Sequence, residues 1–199
     1  MCWTTRPVGK MEAAGDDIHW LAGLIRRLSG EDRLPVILAG FSNGASMVLR
    51  LAASGLTALN GVLAIGGYPR AELPTSISPV KTVFLHGRLD PIVPPGGGWV
   101  KTPWQPEGYS IPSMCEAVAN WTRRMGARNT LTNHSDGLEE TLFKDDNGAV
   151  YCRWLMLDPL GHHWPGGKGQ WESDSMGPRL NDGPVDVKDI LKAMLDGQF

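Results

Sequence analysis

Three short segments of the chain carry residue types that together could run acyl transfer. In Gly40-Phe41-Ser42-Asn43-Gly44 a serine stands between two glycines, after an apolar run and before a helical pattern. Such a strand-to-helix turn lifts a hydroxyl clear of a sheet, and the N–H of the next residue, here Asn43, then faces a developing oxyanion. A serine hydroxyl is a weak nucleophile. It needs a base to take its proton and a carboxylate to orient that base. Candidates follow in the order acid, then base: Asp90 in His86-Gly-Arg-Leu-Asp-Pro-Ile-Val-Pro, and His162 beside His163 in Gly161-His-His-Trp-Pro-Gly-Gly. Each segment lies just past an apolar run, at the strand ends where parallel sheets collect ligands.

The elements that must position these residues can be read from periodicity. Residues 16–29 form an amphipathic helix with Ile18, Leu21, Ala22, Ile25 and Leu28 on one face, Asp16 and Asp17 at its start and Gly30 at its stop. Pro35–Ala39, Gly61–Ile65 and Lys81–Leu85 are short apolar runs, the pattern of parallel strands buried on both faces. A helix over 43–54, closed by Gly55, separates the first two. Residues 91–109, rich in Gly and Pro, read as a long loop. A helix on Met114, Val118, Trp121 and Met125 comes next, with Pro112 near its start and Gly126 after its end. Residues 139–144 and 149–157 form a hairpin across Asp146-Asn147-Gly148, and a Gly-rich loop over 161–183 leads to a last helix on Val187, Ile190, Leu191 and Met194. Strands alternating with helices imply an α/β fold with a mostly parallel sheet, in a single domain spanning 1–199.

Composition narrows the function classes. The chain has 199 residues, 42% of them hydrophobic, and a net charge of −2. That length supports one domain with a sizeable core. The charge balance leaves no electrostatic footprint for nucleic acid or an anionic membrane, and no run has the length of a membrane span. Cys2, Cys115 and Cys152 lack zinc spacing and are too few for a disulfide scaffold; three buried thiols are expected, with one bridge as the alternative. The N-terminal MCWTTRPVGKMEAAG has no apolar stretch of signal-peptide type. Sequons at Asn120 and Asn133 matter only on a secreted eukaryotic chain. Eight Trp serve either packing or an aromatic-lined pocket, packing being the plainer reading.

GFSNGA, HGRLDPIVP and GHHWPGG resemble the three catalytic blocks of an α/β-hydrolase family that holds polyhydroxybutyrate depolymerase-like, feruloyl and acetylxylan esterases. The similarity extends to DDIHWLAGLIRRL, IPSMCEAVANWTRRMGA and VDVKDILKAML, so it covers about residues 16–195. The resemblance implies an α/β-hydrolase fold and an esterase without cofactor or metal. It implies Ser42 as nucleophile, Asp90 as orienting acid, and His162, directly after Gly161, as base, with His163 at a variable position. Asn43 would supply one oxyanion N–H, and Phe41 and Trp164 are the expected substrate contacts. The substrates implied are polyhydroxyalkanoate-type, feruloyl or acetyl, and short-chain esters. Many family members are secreted, which makes an extracellular or periplasmic location the expectation.

The chain departs from the family at its start. Family members carry several strands before the helix matching 16–29, one ending in a His-Gly-type loop that gives a second oxyanion N–H. Residues 1–15 hold no such loop, and Cys2-Trp3 resembles the tail of a segment that precedes that helix, so an N-terminally shortened member is expected. Losing one oxyanion donor costs on the order of 10²–10³ in rate. Missing strands would also expose sheet edges that a partner chain, a homo-oligomer included, could cover.

Plainer readings stand beside these. Ser42 could be a helix N-cap and Asp90 a turn residue. Asp158 is the rival acid, but it stands only four positions before His162 and cannot cross from a neighbouring strand. His86 is expected to hydrogen-bond at its strand end; His19 is expected on a helix and His134 in a polar loop, neither with an assigned role. A zinc site from His86, Asp90, His162 and His163 lacks the His-Glu-x-x-His spacing, and the Gly runs at 96–98 and 166–169 lack the features of a phosphate loop. The alternatives in function are a dienelactone-hydrolase-like or peptidase-like enzyme of the same triad order, or a catalytically silent fragment that acts as a binding module.

Overall fold

The computed structural model describes residues 17–30, 34–70, 73–103, 105–167, 174–180 and 183–199. Helix α1 spans Asp17–Ser29, strand β1 Ile37–Phe41, helix α2 Asn43–Ser54, β2 Gly61–Ile65 and β3 Lys81–Gly87. A short pair follows, β4 Gly98–Thr102 and β5 Gln105–Ile111, then α3 Met114–Arg124. Strands β6 Asn129–Ser135, β7 Leu138–Lys144 and β8 Val150–Leu157 precede the final helix α4, Val187–Leu195. Asp16 and Cys2 of the sequence reading lie outside the described residues.

The main sheet has the order β1-β2-β3-β8-β7-β6. Its first four strands run parallel, and β7 and β6 continue antiparallel. The mostly parallel α/β architecture thus follows the apolar runs. β2 is buried along its whole length, as a strand covered on both faces must be. Its residues alternate between the two layers. Val62 and Ala64 join Ala45 and Leu49 of α2 and Val118 and Trp121 of α3. Leu63 and Ile65 face Val187, Ile190 and Met194 of α4. The α1 stripe Ile18, Ala22 and Ile25 packs on Met47 and Leu51, so α1 reaches the sheet largely through α2.

The helix boundaries agree closely with the sequence. Gly55 ends α2 with φ 65°, a left-handed conformation that costs glycine no Cβ clash. At α3 the cap is Ser113, whose side chain accepts the Glu116 N–H.

Four expectations are corrected. The stretch read as a loop over 91–109 contains β4 and the start of β5, an antiparallel hairpin whose Val100 and Ile111 are buried while Trp99 is exposed. The inward residues are so few that Gly and Pro hid the alternation. His134, expected in a polar loop, stands on strand β6, all of which is exposed, so it shows no buried alternate face. The first strand lies at Ile37–Phe41, closer to Ser42 than Pro35–Ala39. Of the two described cysteines, Cys115 is exposed and Cys152 is buried; both are free thiols.

Candidate active site

β1 ends directly in the turn that carries Ser42, and α2 begins at the next residue. Ser42 has φ 55° and ψ −118°, the one non-glycine positive φ among the described residues. Strain of this kind persists only where its surroundings enforce it. Here the Ser42 N–H donates to Ile65 O at 2.8 Å, which ties the turn to the end of β2. A Cβ at Gly40 would stand 2.3 Å from Gly44 O, so the close pass of β1 against α2 excludes any side chain there. Gly44 itself has open space where a Cβ would project. The two glycines of the motif are therefore not equivalent. Ser42 makes no side-chain cap hydrogen bond to α2, so the helix-cap reading of its hydroxyl fails.

Instead the hydroxyl meets an imidazole. Ser42 Oγ lies 2.8 Å from His162 Nε2, and His162 Nδ1 lies 2.7 Å from Asp90 Oδ2. Asp90 follows β3 and His162 follows β8, strands that pair directly, so their C-terminal ends bring the two loops together. Asp90 is also the turn residue of the plainer reading. Its Oδ1 accepts the N–H groups of Ile92 at 2.8 Å and Val93 at 2.7 Å, leaving Oδ2 for the histidine. A carboxylate satisfied on one oxygen by two backbone donors is fixed in orientation. Both His162 and Asp90 are buried.

The loop that carries His162 is held from outside as well. His162 N–H donates to Met176 O and Gly161 N–H to Pro178 O, each at 2.7 Å. These strap contacts, and the Ile92 and Val93 donors, were missed by sequence reasoning. The Asp-Pro-Ile-Val run could have revealed the second set, because Asp characteristically accepts from N–H groups two residues on.

The remaining candidates separate cleanly. His163 Nε2 donates to Gly177 O at 3.0 Å, away from Ser42. The Asp158 carboxylate faces Arg88, 3.6 Å from its Nε, and is half-exposed. The Phe41 ring sits 4.9 Å from the His162 ring and 6.5 Å from that of Trp164, which is 38% exposed. Asn43 opens α2, at the helix end whose backbone N–H groups are directed at the turn. His86 is fully buried, and burial lowers its pKa to about 4 despite the hydrogen bond to Gly67. Burial likewise pushes the Cys152 thiol up, which makes it a poor nucleophile. Among the described residues no group of three or more His, Cys, Asp and Glu could hold a metal ion, and no helix is long and apolar enough to cross a membrane.

Residues 26–99 match the family model described as phospholipase/carboxylesterase. The chain has an α/β-hydrolase fold. The matched stretch carries Ser42 and Asp90 and stops short of His162. It supports a hydrolase of the carboxylesterase or phospholipase type. No curated protein matches the chain.

Proposed function

We propose that this α/β hydrolase is a serine carboxylic-ester hydrolase working through an acyl-enzyme, with Ser42, His162 and Asp90 as its triad. The observation that carries the reading is the unbroken hydrogen-bond path from Ser42 Oγ to His162 Nε2 and from His162 Nδ1 to Asp90 Oδ2. With Nδ1–H donating to Asp90, Nε2 is the acceptor that a hydroxyl proton needs. Ser42 Oγ attacks the ester carbonyl as its proton passes to His162 Nε2. Asp90 stabilises the resulting imidazolium, and the Asn43 N–H at the start of α2 binds the oxyanion. His162 then protonates the leaving alcohol, and water activated by the same nitrogen releases the acid.

The finer substrate reading rests on the sequence resemblance and on Phe41, whose ring lies beside His162, with Trp164 edge-on to Phe41. They favour feruloyl-type or polymeric hydroxyalkanoate esters, with acetyl and short-chain esters as smaller substrates. The resemblance alone supports an extracellular or periplasmic location and a homo-oligomer covering a sheet edge. Ester substrate is the only small-molecule partner in this reading; nucleic acid, membrane and cofactor have no part in it.

Fluorophosphonate labelling followed by peptide mapping tests the proposal. Stoichiometric modification at Ser42, lost in Ser42→Ala and His162→Ala, is the expected result. A folded, monodisperse sample that does not label would overturn it in favour of a silent binding module.

A further inference from the structure

Gly66, Gly67 and Tyr68, which follow β2, lie between the nucleophile turn and the base. A Cβ on Gly67 would stand 2.5 Å from Ser42 O, and one on Gly66 would stand 3.4 Å from Cε1 and Nδ1 of His162. The tripeptide is thus a spacer whose thickness sets how near the hydroxyl and imidazole come. Its ties are polar. Gly66 N–H donates to Leu85 O at 2.8 Å, and Tyr68 O accepts the Ser46 hydroxyl at 2.7 Å. Gly67 O accepts from His86 Nε2 at 2.9 Å.

His86 lies on β3, fully buried, with its ring stacked on Phe84 and edge-on to Trp154. Trp154 Nε1–H donates to His86 Nδ1 at 3.2 Å. An indole nitrogen can only donate, so Nδ1 is unprotonated and Nε2 carries the hydrogen that Gly67 O accepts. Both ring nitrogens are committed, and the triad uses neither. The charged and titratable groups facing the ring are Asp90 and His162, whose effects on it oppose each other.

We propose that His86 is a positioning residue: its Nε2-protonated imidazole, oriented by Trp154, anchors the Gly66–Tyr68 spacer that holds Ser42 and His162 at reacting distance. The proposal rests on the esterase reading for its kinetic consequence and on the hydrogen bonds alone for its structural one. Misplacing reacting groups by about 1 Å can cost roughly 10²-fold in rate.

The test compares His86→Ala, His86→Gln and Trp154→Phe with the unsubstituted chain on p-nitrophenyl acetate. His86→Ala should lower kcat by about 10- to 100-fold with KM nearly unchanged. His86→Gln, which can donate to Gly67 O and accept from Trp154, should recover most of that loss. A folded His86→Ala with kcat within about twofold of the original, or a Gln variant no better than Ala, overturns the proposal. Should His86→Ala fail to fold, Trp154→Phe decides. Freed of its indole donor, His86 should add an ionisation to the acid limb of the pH–rate profile, and an unaltered profile overturns the claim. If the unsubstituted chain neither hydrolyses the ester nor labels at Ser42, the esterase reading fails by itself. The positioning claim is then decided by the imidazole NMR resonances of His162, expected to move in Trp154→Phe; resonances that stay in place overturn it.

Discussion

Ser42 Oγ and His162 Nε2 stand 2.8 Å apart although 120 positions separate them in the chain. That contact exists only because β1, β2, β3 and β8 are consecutive neighbours and parallel, so their C-terminal ends open on one rim. The rim, and no local motif, assembles the site.

Removing a member of the path should separate the two candidate acids. Asp90→Asn keeps an acceptor for the Ile92 and Val93 N–H groups but turns an amide toward His162. The wrong imidazole tautomer then costs on the order of 10⁴ in kcat. Asp158→Asn, at a carboxylate that faces Arg88, should leave kcat within about twofold. Steady-state kinetics on one activated ester checks both.

The two glycines of the Ser42 turn should respond differently to alanine. Gly40→Ala forces a methyl against the Gly44 carbonyl, a backbone contact that cannot swing aside, and should cost about 3 kcal/mol or more. Gly44→Ala enters open space in a helix and should change stability by no more than about 1 kcal/mol, favourably if at all. Urea unfolding reads both.

Acid should weaken the fold through His86. Its pKa falls from 6.5 to about 4 on burial, so the unfolded chain takes up the proton first. Stability is unaffected above the unfolded value, declines as pH drops from about 6.5 toward 4, and levels off below. The loss is on the order of 3 kcal/mol from this group. Unfolding midpoints at pH 7 and pH 4.5 should diverge less in His86→Gln, which cannot titrate in that range.

Specificity should follow the aromatic flank. Trp164→Ala removes a partly exposed ring that lies edge-on to Phe41. It should lower kcat/KM for an aromatic acyl ester by roughly 10-fold while changing that for an acetyl ester much less. A matched pair of methyl esters measures the ratio.

Much of the fold was readable because its strands are extreme. β2 is apolar throughout and buried throughout, and α2 runs from just after Ser42 to a left-handed glycine. Ser42, Asp90 and His162 were readable as residue types in order, since each comes after an apolar run that forms a strand. What escaped notice depends on contacts distant in sequence. Met176 O reaches His162 N–H from a Gly-rich loop with no periodic pattern, and His86 acquires its partners from β8 and the end of β2. β6 has no buried face, so its pairing with β7 left no trace in residue type.

The β4–β5 hairpin contributes no strand to the main sheet, yet Val100 and Ile111 share a cluster with Ile92 and Val93, the residues whose N–H groups grip Asp90. Asp90 is therefore clamped through a cluster that rests partly on an appendage, while Ser42 leads straight into α2, which packs in a large layer. Local opening of the hairpin would release the carboxylate with the sheet still closed. In mild denaturant, loss of Ser42 labelling by a fluorophosphonate should then run ahead of loss of secondary structure, because the Asp90–His162 contact goes first.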